Sequence, residues 1–301
     1  MTALVGMVIA VHVLSGDQLM RSFRNSLALV AVAGAALTFS AFAHCAFAQD
    51  MRDRLKLTIP EGISSEVAHF PRGAPGTSTG SPIAFGAGFH DFFVGVGLQS
   101  PVRYGADADG GATVGFGLGD ARDVIGFEVA INALSTVRSG IGNRVGFGGK
   151  AHKLFDGNWG IAVGVMNIVA NKAADDGNPS VYGAVSKVVD LKGTSLGMFK
   201  SLTLTGGAGN EGFRIEKDIR NNNSTIGFFG SAALRVHEQV SVIGDWGGQD
   251  LSVGVSVVPF ADFPLVLTPA LADLTGSAGV HGRKETVRPR FTLGAGMAIR
   301  W

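Results

Sequence analysis

Some short strings in this chain hold residue types that do chemistry in other settings. "GAGNEG" at Gly207 to Gly212 matches the G-x-G-x-x-G spacing of a dinucleotide loop, "GTSTG" at Gly76 to Gly80 has the spacing of a serine nucleophile elbow, and "DADGG" at Asp107 to Gly111 opens like a calcium loop. Each needs a context the sequence does not supply. A pyrophosphate needs an apolar helix after the last glycine, and here the chain continues as "FRIEKDIRNNNST" instead. A nucleophile elbow needs a strand before Ser78 and a helix after it, whereas Ser78 lies in a Pro/Gly run. The calcium loop has no closing glutamate, so a solvated outer loop is expected there.

Among the histidines, His90, His152, His237 and His281 fall in or beside expected strands. His152 alone lies well inside one, on the same face as Lys150 and Gly148, and no acid nearby in sequence would orient it as a base. The sole cysteine, Cys45, lies in a segment expected to be removed, which leaves no thiol for disulfides or metal. No catalytic residue, cofactor or metal site is therefore expected, and the chain is not read as an enzyme.

The elements that would position any polar group have a period of two. Successive side chains of a strand point to opposite faces. In "RFTLGAGMAIRW" the alternate residues Phe291, Leu293, Ala295, Met297, Ile299 and Trp301 are apolar, while Thr292, Gly294, Gly296, Ala298 and Arg300 are small or polar. "TVGFGLG", "VIGFEVAINAL" and "DLSVGVSVV" show the same asymmetry. About twelve such runs are predicted: 91–98, 112–119, 124–134, 144–154, 158–170, 180–190, 200–209, 225–236, 239–247, 250–258, 264–273 and 289–301. Most are long enough to cross a bilayer as a tilted strand.

Connections at 99–111, 135–143, 171–178, 210–224 and 275–287 are long and polar. Those at 120–123, 156–157, 237–238 and 259–263 are short, with Asp156-Gly157 a tight-turn pair. Alternation of long loops and short turns is the pattern of a transmembrane barrel, although 191–199 and "GGQ" at 247–249 depart from it. The expected fold is all-β: a transmembrane antiparallel up-and-down β-barrel of about twelve strands, residues 83–301. A secreted β-sandwich is the competing reading, but it would carry a charged outer face.

Composition agrees with a barrel. Of 301 residues, 16% are charged and 45 are glycine, against typical values of about 25% charged and about 7% glycine. A formal net charge of +1 and no basic run argue against a nucleic-acid partner. Residues 1–48 read as an export signal, with Arg21 and Arg24 before an apolar stretch and a small-residue site ending at Ala48; Met20 is a possible true start. Residues 49–82 pass from mixed charge into Pro, Gly and Ser and read as a flexible periplasmic lead-in or plug segment.

The stretch "DWGGQDLSVGVSVVPFADFPLVLTPALADLTG" at 245–276, with "VGFGLGDARDVIGFEVA" and "SVYGAVSKVVDL", resembles uncharacterised outer-membrane barrel proteins of cyanobacterial type. It is distantly similar to YjbH-type barrels associated with exopolysaccharide production. The resemblance implies location in the outer membrane of a Gram-negative-type envelope and the barrel fold, and it carries no functional residue onto this chain.

By alternation, Glu128, Asn132, Lys150, His152, Arg235, Asp245 and Arg300 are expected to line the lumen. The C-terminal residues Phe291, Leu293, Met297, Ile299 and Trp301 are expected to form the signal read by the barrel-assembly machinery. The expected partners are that machinery, outer-membrane lipid and small polar solutes. The expected function is a passive or weakly selective channel for those solutes; the alternative is a closed structural or accessory barrel supporting envelope integrity or exopolysaccharide export.

Overall fold

A sheet whose strands are all apolar on one face and small or polar on the other can satisfy its two edges by closing on itself, and this one does. The computed structural model describes residues 73–103, 107–133, 145–169, 179–192, 194–196, 198–260, 263–277 and 289–300. The expected signal at 1–48 and residues 49–72 of the lead-in lie outside them.

Twelve antiparallel strands run up and down in sequence order and close as β1 pairs with β12. They are β1 (Asp91–Ser100), β2 (Asp109–Leu118), β3 (Gly126–Ala133), β4 (Val145–Phe155), β5 (Trp159–Val169), β6 (Ser180–Asp190), β7 (Ser201–Gly209), β8 (Gly227–His237), β9 (Val240–Trp246), β10 (Leu251–Val257), β11 (Leu265–Ala272) and β12 (Arg290–Arg300). Asp91 faces Arg300 across the closing seam, so the chain enters and leaves the barrel at the same end. Among the described residues, 119–125, 156–158, 191–192, 194–196, 198–200, 238–239, 258–260 and 263–264 lie at this entry end; the opposite end, where β1 finishes and β2 starts, is the loop end. Gly157 and Asn158, at φ +71° and +64°, make the β4–β5 turn at the Asp-Gly signal. "DADGG" is only partly loop, because β2 already begins at Asp109.

The apolar face points outward. Val114, Val129, Ile131, Ile161, Val163, Val185, Val253 and Val255 are exposed around the wall. Aromatic side chains are exposed near both rims, with Phe116, Phe127, Phe155 and Trp159 toward the entry end and Phe147, Phe228, Trp246 and Phe291 toward the loop end. Within the strands, among the described residues, the charged side chains not buried inside are Lys153, Lys187 and Asp190, all close to the entry end. An apolar band of this extent is foreign to a soluble monomer's surface.

The small-residue face is tight, and the reason lies in the register. A Cβ on Gly115 would come within 2.3 Å of the Phe93 ring, one on Gly164 within 2.5 Å of Tyr182, and one on Gly207 within 2.2 Å of Phe229. Each inward ring lies over a glycine of the neighbouring strand, where only hydrogen leaves room. The three rings are at most 4% exposed.

Candidate functional site

Six of the expected lumen residues are buried inside the barrel: Glu128, Asn132, Lys150, His152, Arg235 and Asp245, none more than 9% exposed. Arg300 ends β12, and its side chain lies outside the described residues, as does Trp301. Phe291, Leu293, Met297 and Ile299 alternate along the outward face of β12, with Phe291 and Ile299 exposed on the surface.

What occupies the interior is the chain itself. Gly73 lies against Pro264 and Val258 at the entry end. From there the segment rises, the Gly76 amide donating to Ser256 Oγ at 2.7 Å and the Thr77 carbonyl accepting from Ser231 Oγ at 3.0 Å. It turns at residues 78–81 and descends past Ala84, whose amide donates to Ser186 Oγ at 2.9 Å. Phe89, through its amide to the Gly119 carbonyl, brings it back to the entry end, where β1 begins. The result is an internal hairpin tethered at the entry end, with its tip in the half nearer the loops.

Asp245 holds that tip. Located next to the loop end of β9, its carboxylate accepts from the amides of Thr79, Gly80 and Ser81 at 2.6, 2.8 and 3.1 Å, all on Oδ2. Ser81 Oγ donates to Oδ1, and Ser78 Oγ lies 2.7 Å from Oδ2, sharing its proton with the Ser81 carbonyl oxygen at 2.6 Å. Successive amides converging on one anion form a nest of the kind that binds phosphates and carboxylates elsewhere. The neighbours of Asp245 in register are Ser231 and Ser252, so no cationic side chain is supplied by the flanking strands. The "GTSTG" string thus donates to a carboxylate from a hairpin tip and has no strand-to-helix elbow.

The descending limb is held by an ion pair and by apolar packing. Glu128 and Lys150 face each other in register, 3.3 Å apart and both at most 2% exposed in their side chains. Lys150 Nζ donates to the Phe85 carbonyl at 2.7 Å, and Glu128 accepts from the Ala87 amide at 2.9 Å. Ile83 and Phe85 are fully buried with Ala121, Leu154 and Val188.

His152 lies over Gly126 and beside Gly86, positions where a Cβ would approach its ring within 3 Å. Neither ring nitrogen has a hydrogen-bond partner among the described residues. It borders a cavity of about 260 Å³ near the entry end with His90, Asp91, Asp120 and Arg122. Among the described residues no group of three or more His, Cys, Asp or Glu could hold a metal ion.

At the loop end the mouth is narrowed by a second cluster. Asp250 accepts from Arg290 at 2.7 Å and from Arg103, and Glu216 accepts from Arg103 at 3.0 Å and from Arg220 at 2.9 Å. Glu216 opens a short helix, α1 (Glu216–Arg220), in the β7–β8 loop, and a 3-10 turn before it drives Phe213 inward against Tyr182 and Phe229. The helix after "GAGNEG" is therefore only five residues long, and Gly209 of that string makes room for the Phe213 ring.

Sequence reasoning found the inward residues by alternation but missed the tip–Asp245 contact and Phe213. One signal for the former was present: Asp245 is an inward acid whose neighbouring strands offer no inward base at that level.

No protein-family model matches the chain, and no curated protein sequence matches it. Among solved structures, it is similar to the Acinetobacter baumannii outer membrane protein Omp33, at 11% identity and a TM-score of 0.37, covering 70% of this chain and 98% of that one. It is also similar to a protein of unknown function from the DUF3598 family of Nostoc punctiforme, at 9% identity and a TM-score of 0.16, covering 69% of this chain and 95% of that one. A YjbH-type relationship has no support among these likenesses. The fold rests on the strand pairing itself, and the comparisons add no statement of activity.

Proposed function

We propose that this chain is an outer-membrane β-barrel of a Gram-negative-type envelope, acting as a passive or weakly selective channel for small polar solutes and held closed by its own internal hairpin. The observation that carries the reading is the division of partners inside. Charged and hydroxyl side chains on six strands, from Glu128 on β3 to Ser256 on β10, bond to one short segment, residues 76–87, that is not part of the wall. A wall polar enough to bind a peptide backbone is polar enough to pass hydrated solutes. The outward apolar band and its aromatic rims support a lipid environment, and the alternating C-terminal strand supports insertion by the barrel-assembly machinery.

Planar-bilayer recording tests the channel. The folded full chain is expected to conduct weakly, and a variant lacking residues 76–82 strongly. Silence from a deletion variant that still shows a heat-modifiable gel mobility favours the second reading, a closed structural or accessory barrel serving envelope integrity or exopolysaccharide export. The observation favouring that reading is the interior filling by Phe93, Tyr182 and Phe229.

A further inference from the structure

The internal hairpin is chemically divided. Its descending limb carries Ile83, Ala84, Phe85 and Ala87, each fully buried and each built into an apolar cluster with the wall. Pulling a buried Ile and Phe out of such clusters exposes a large apolar area to water, which anchors this limb firmly. The rising limb and tip, "GAPGTSTGSP", contain no side chain larger than proline or threonine and are joined to the wall by hydrogen bonds. Those bonds are concentrated on Asp245.

Asp245 is 2% exposed, and among the described residues its carboxylate meets only hydroxyls and amides of the tip. A buried charge of this kind is strongly destabilising once its partners leave. The tip therefore stays unless something else supplies donors to the same oxygens. Water reaches the tip: Gly80 is exposed, and nothing lies within 4 Å of where its Cβ would be.

We infer that residues 76–82 are an exchangeable latch and that the Asp245 carboxylate is a binding site for a small organic cation rich in N–H donors, a guanidinium or primary ammonium group, which opens the barrel by taking the place of the tip. The inference rests on the channel reading proposed for the barrel. A cation replaces both the lost hydrogen bonds and the missing counter-charge, and Ser231 and Ser256, freed from the backbone of residues 76 and 77, add hydroxyls to the emptied site. A ligand shifts a two-state equilibrium only by its differential affinity. Here the difference is built in, because the carboxylate is covered in one state and available in the other.

The test uses the full chain in a planar bilayer, with guanidinium chloride at millimolar concentration and urea, its neutral analogue of the same shape, as the control. Guanidinium is expected to raise open probability about tenfold, a shift that needs only modest preference for the open state. Urea is expected to leave it unchanged. In Asp245→Asn, folded by the criterion of gel mobility, the response to guanidinium is lost. A second readout does not depend on that variant or on current: Thr77→Cys, 5% exposed at its native residue, is expected to react with a thiol reagent faster in guanidinium than in urea. Equal effects of the two probes, or no effect of either while the 76–82 deletion conducts, overturn the latch and leave the channel standing. A silent deletion variant overturns both.

Discussion

Single positions decide how much space the barrel has. Glycine at 207 lets the Phe229 ring lie flat against β7, and a valine there would put a side chain where 2.2 Å separates Cβ from Cζ. Overpacking of this sort costs about 1–3 kcal/mol, so Gly207→Val is expected to lower the urea midpoint of the detergent-solubilised barrel. Phe229→Ala in the same chain should relieve part of the loss, and strictly additive effects would show that the ring and the glycine are not coupled. The Glu128–Lys150 pair makes a sharper case. With both side chains at most 2% exposed, Glu128→Gln leaves a buried ammonium without its counter-charge, a loss of about 3–5 kcal/mol. The double variant Glu128→Gln, Lys150→Met removes the stranded charge and is expected to regain most of that stability. A double variant no better than the single one would mean that Lys150 acts mainly through its bond to the Phe85 carbonyl.

At the scale of elements, one loop carries its own pH response. Asp218 in α1 accepts from two residues of the connection to β8, the Asn223 side chain at 3.1 Å and Thr225 Oγ1 at 2.9 Å, and these bonds hold its carboxylate below the usual range. A depressed carboxylate contributes stability that is complete above the usual carboxylate range and is lost as pH falls through its lowered value. Amide exchange at residues 221–225, relative to an Asp218→Ala control, is expected to accelerate only in that acid window; identical profiles in the two chains would remove Asp218 from the account. The strands themselves were legible because half-buried strands must alternate, and the predicted 180–190 and 200–209 differ from β6 and β7 by one boundary residue at most. The stretch 49–82 reads as a lead-in or plug, but the hairpin's path and its anchor were not legible. "GAPGTSTGSP" has no period, and the group that orders it, Asp245, lies 164 to 167 residues further on. The glycine face was readable as tight or wet and nothing more, since which ring covers which glycine is fixed by register between strands. "NNNST" likewise has no periodic signal, and its order comes from Asp218.

For the whole molecule, the two ends and the apolar band between them make a joint prediction about orientation. An even number of strands returns the chain to its entry end, and the hairpin tip, held by Asp245 next to the loop end of β9, faces the loop end, where Gly80 is exposed. If the loops face the exterior, Gly80→Cys should be labelled in intact cells by a thiol reagent that does not cross membranes. The single native cysteine, Cys45, falls within the expected signal and adds no background once that is removed. The band itself is checked by tryptophan. Trp159 at the start of β5 and Trp246 at the end of β9 are 46% and 37% exposed on the outer wall, near opposite rims. Indole rings favour the headgroup level of a bilayer, and the apolar face of an outer-membrane barrel is about 25 Å tall. With the other tryptophans replaced by phenylalanine, each of these two should be quenched more strongly by lipids brominated near the headgroup than by lipids brominated near the chain ends. Labelling of Gly80→Cys from outside together with shallow quenching of both tryptophans places the loops outward and the wall in lipid. Quenching by neither lipid would mean that the wall faces something other than a bilayer, and the channel reading would lose the environment it requires.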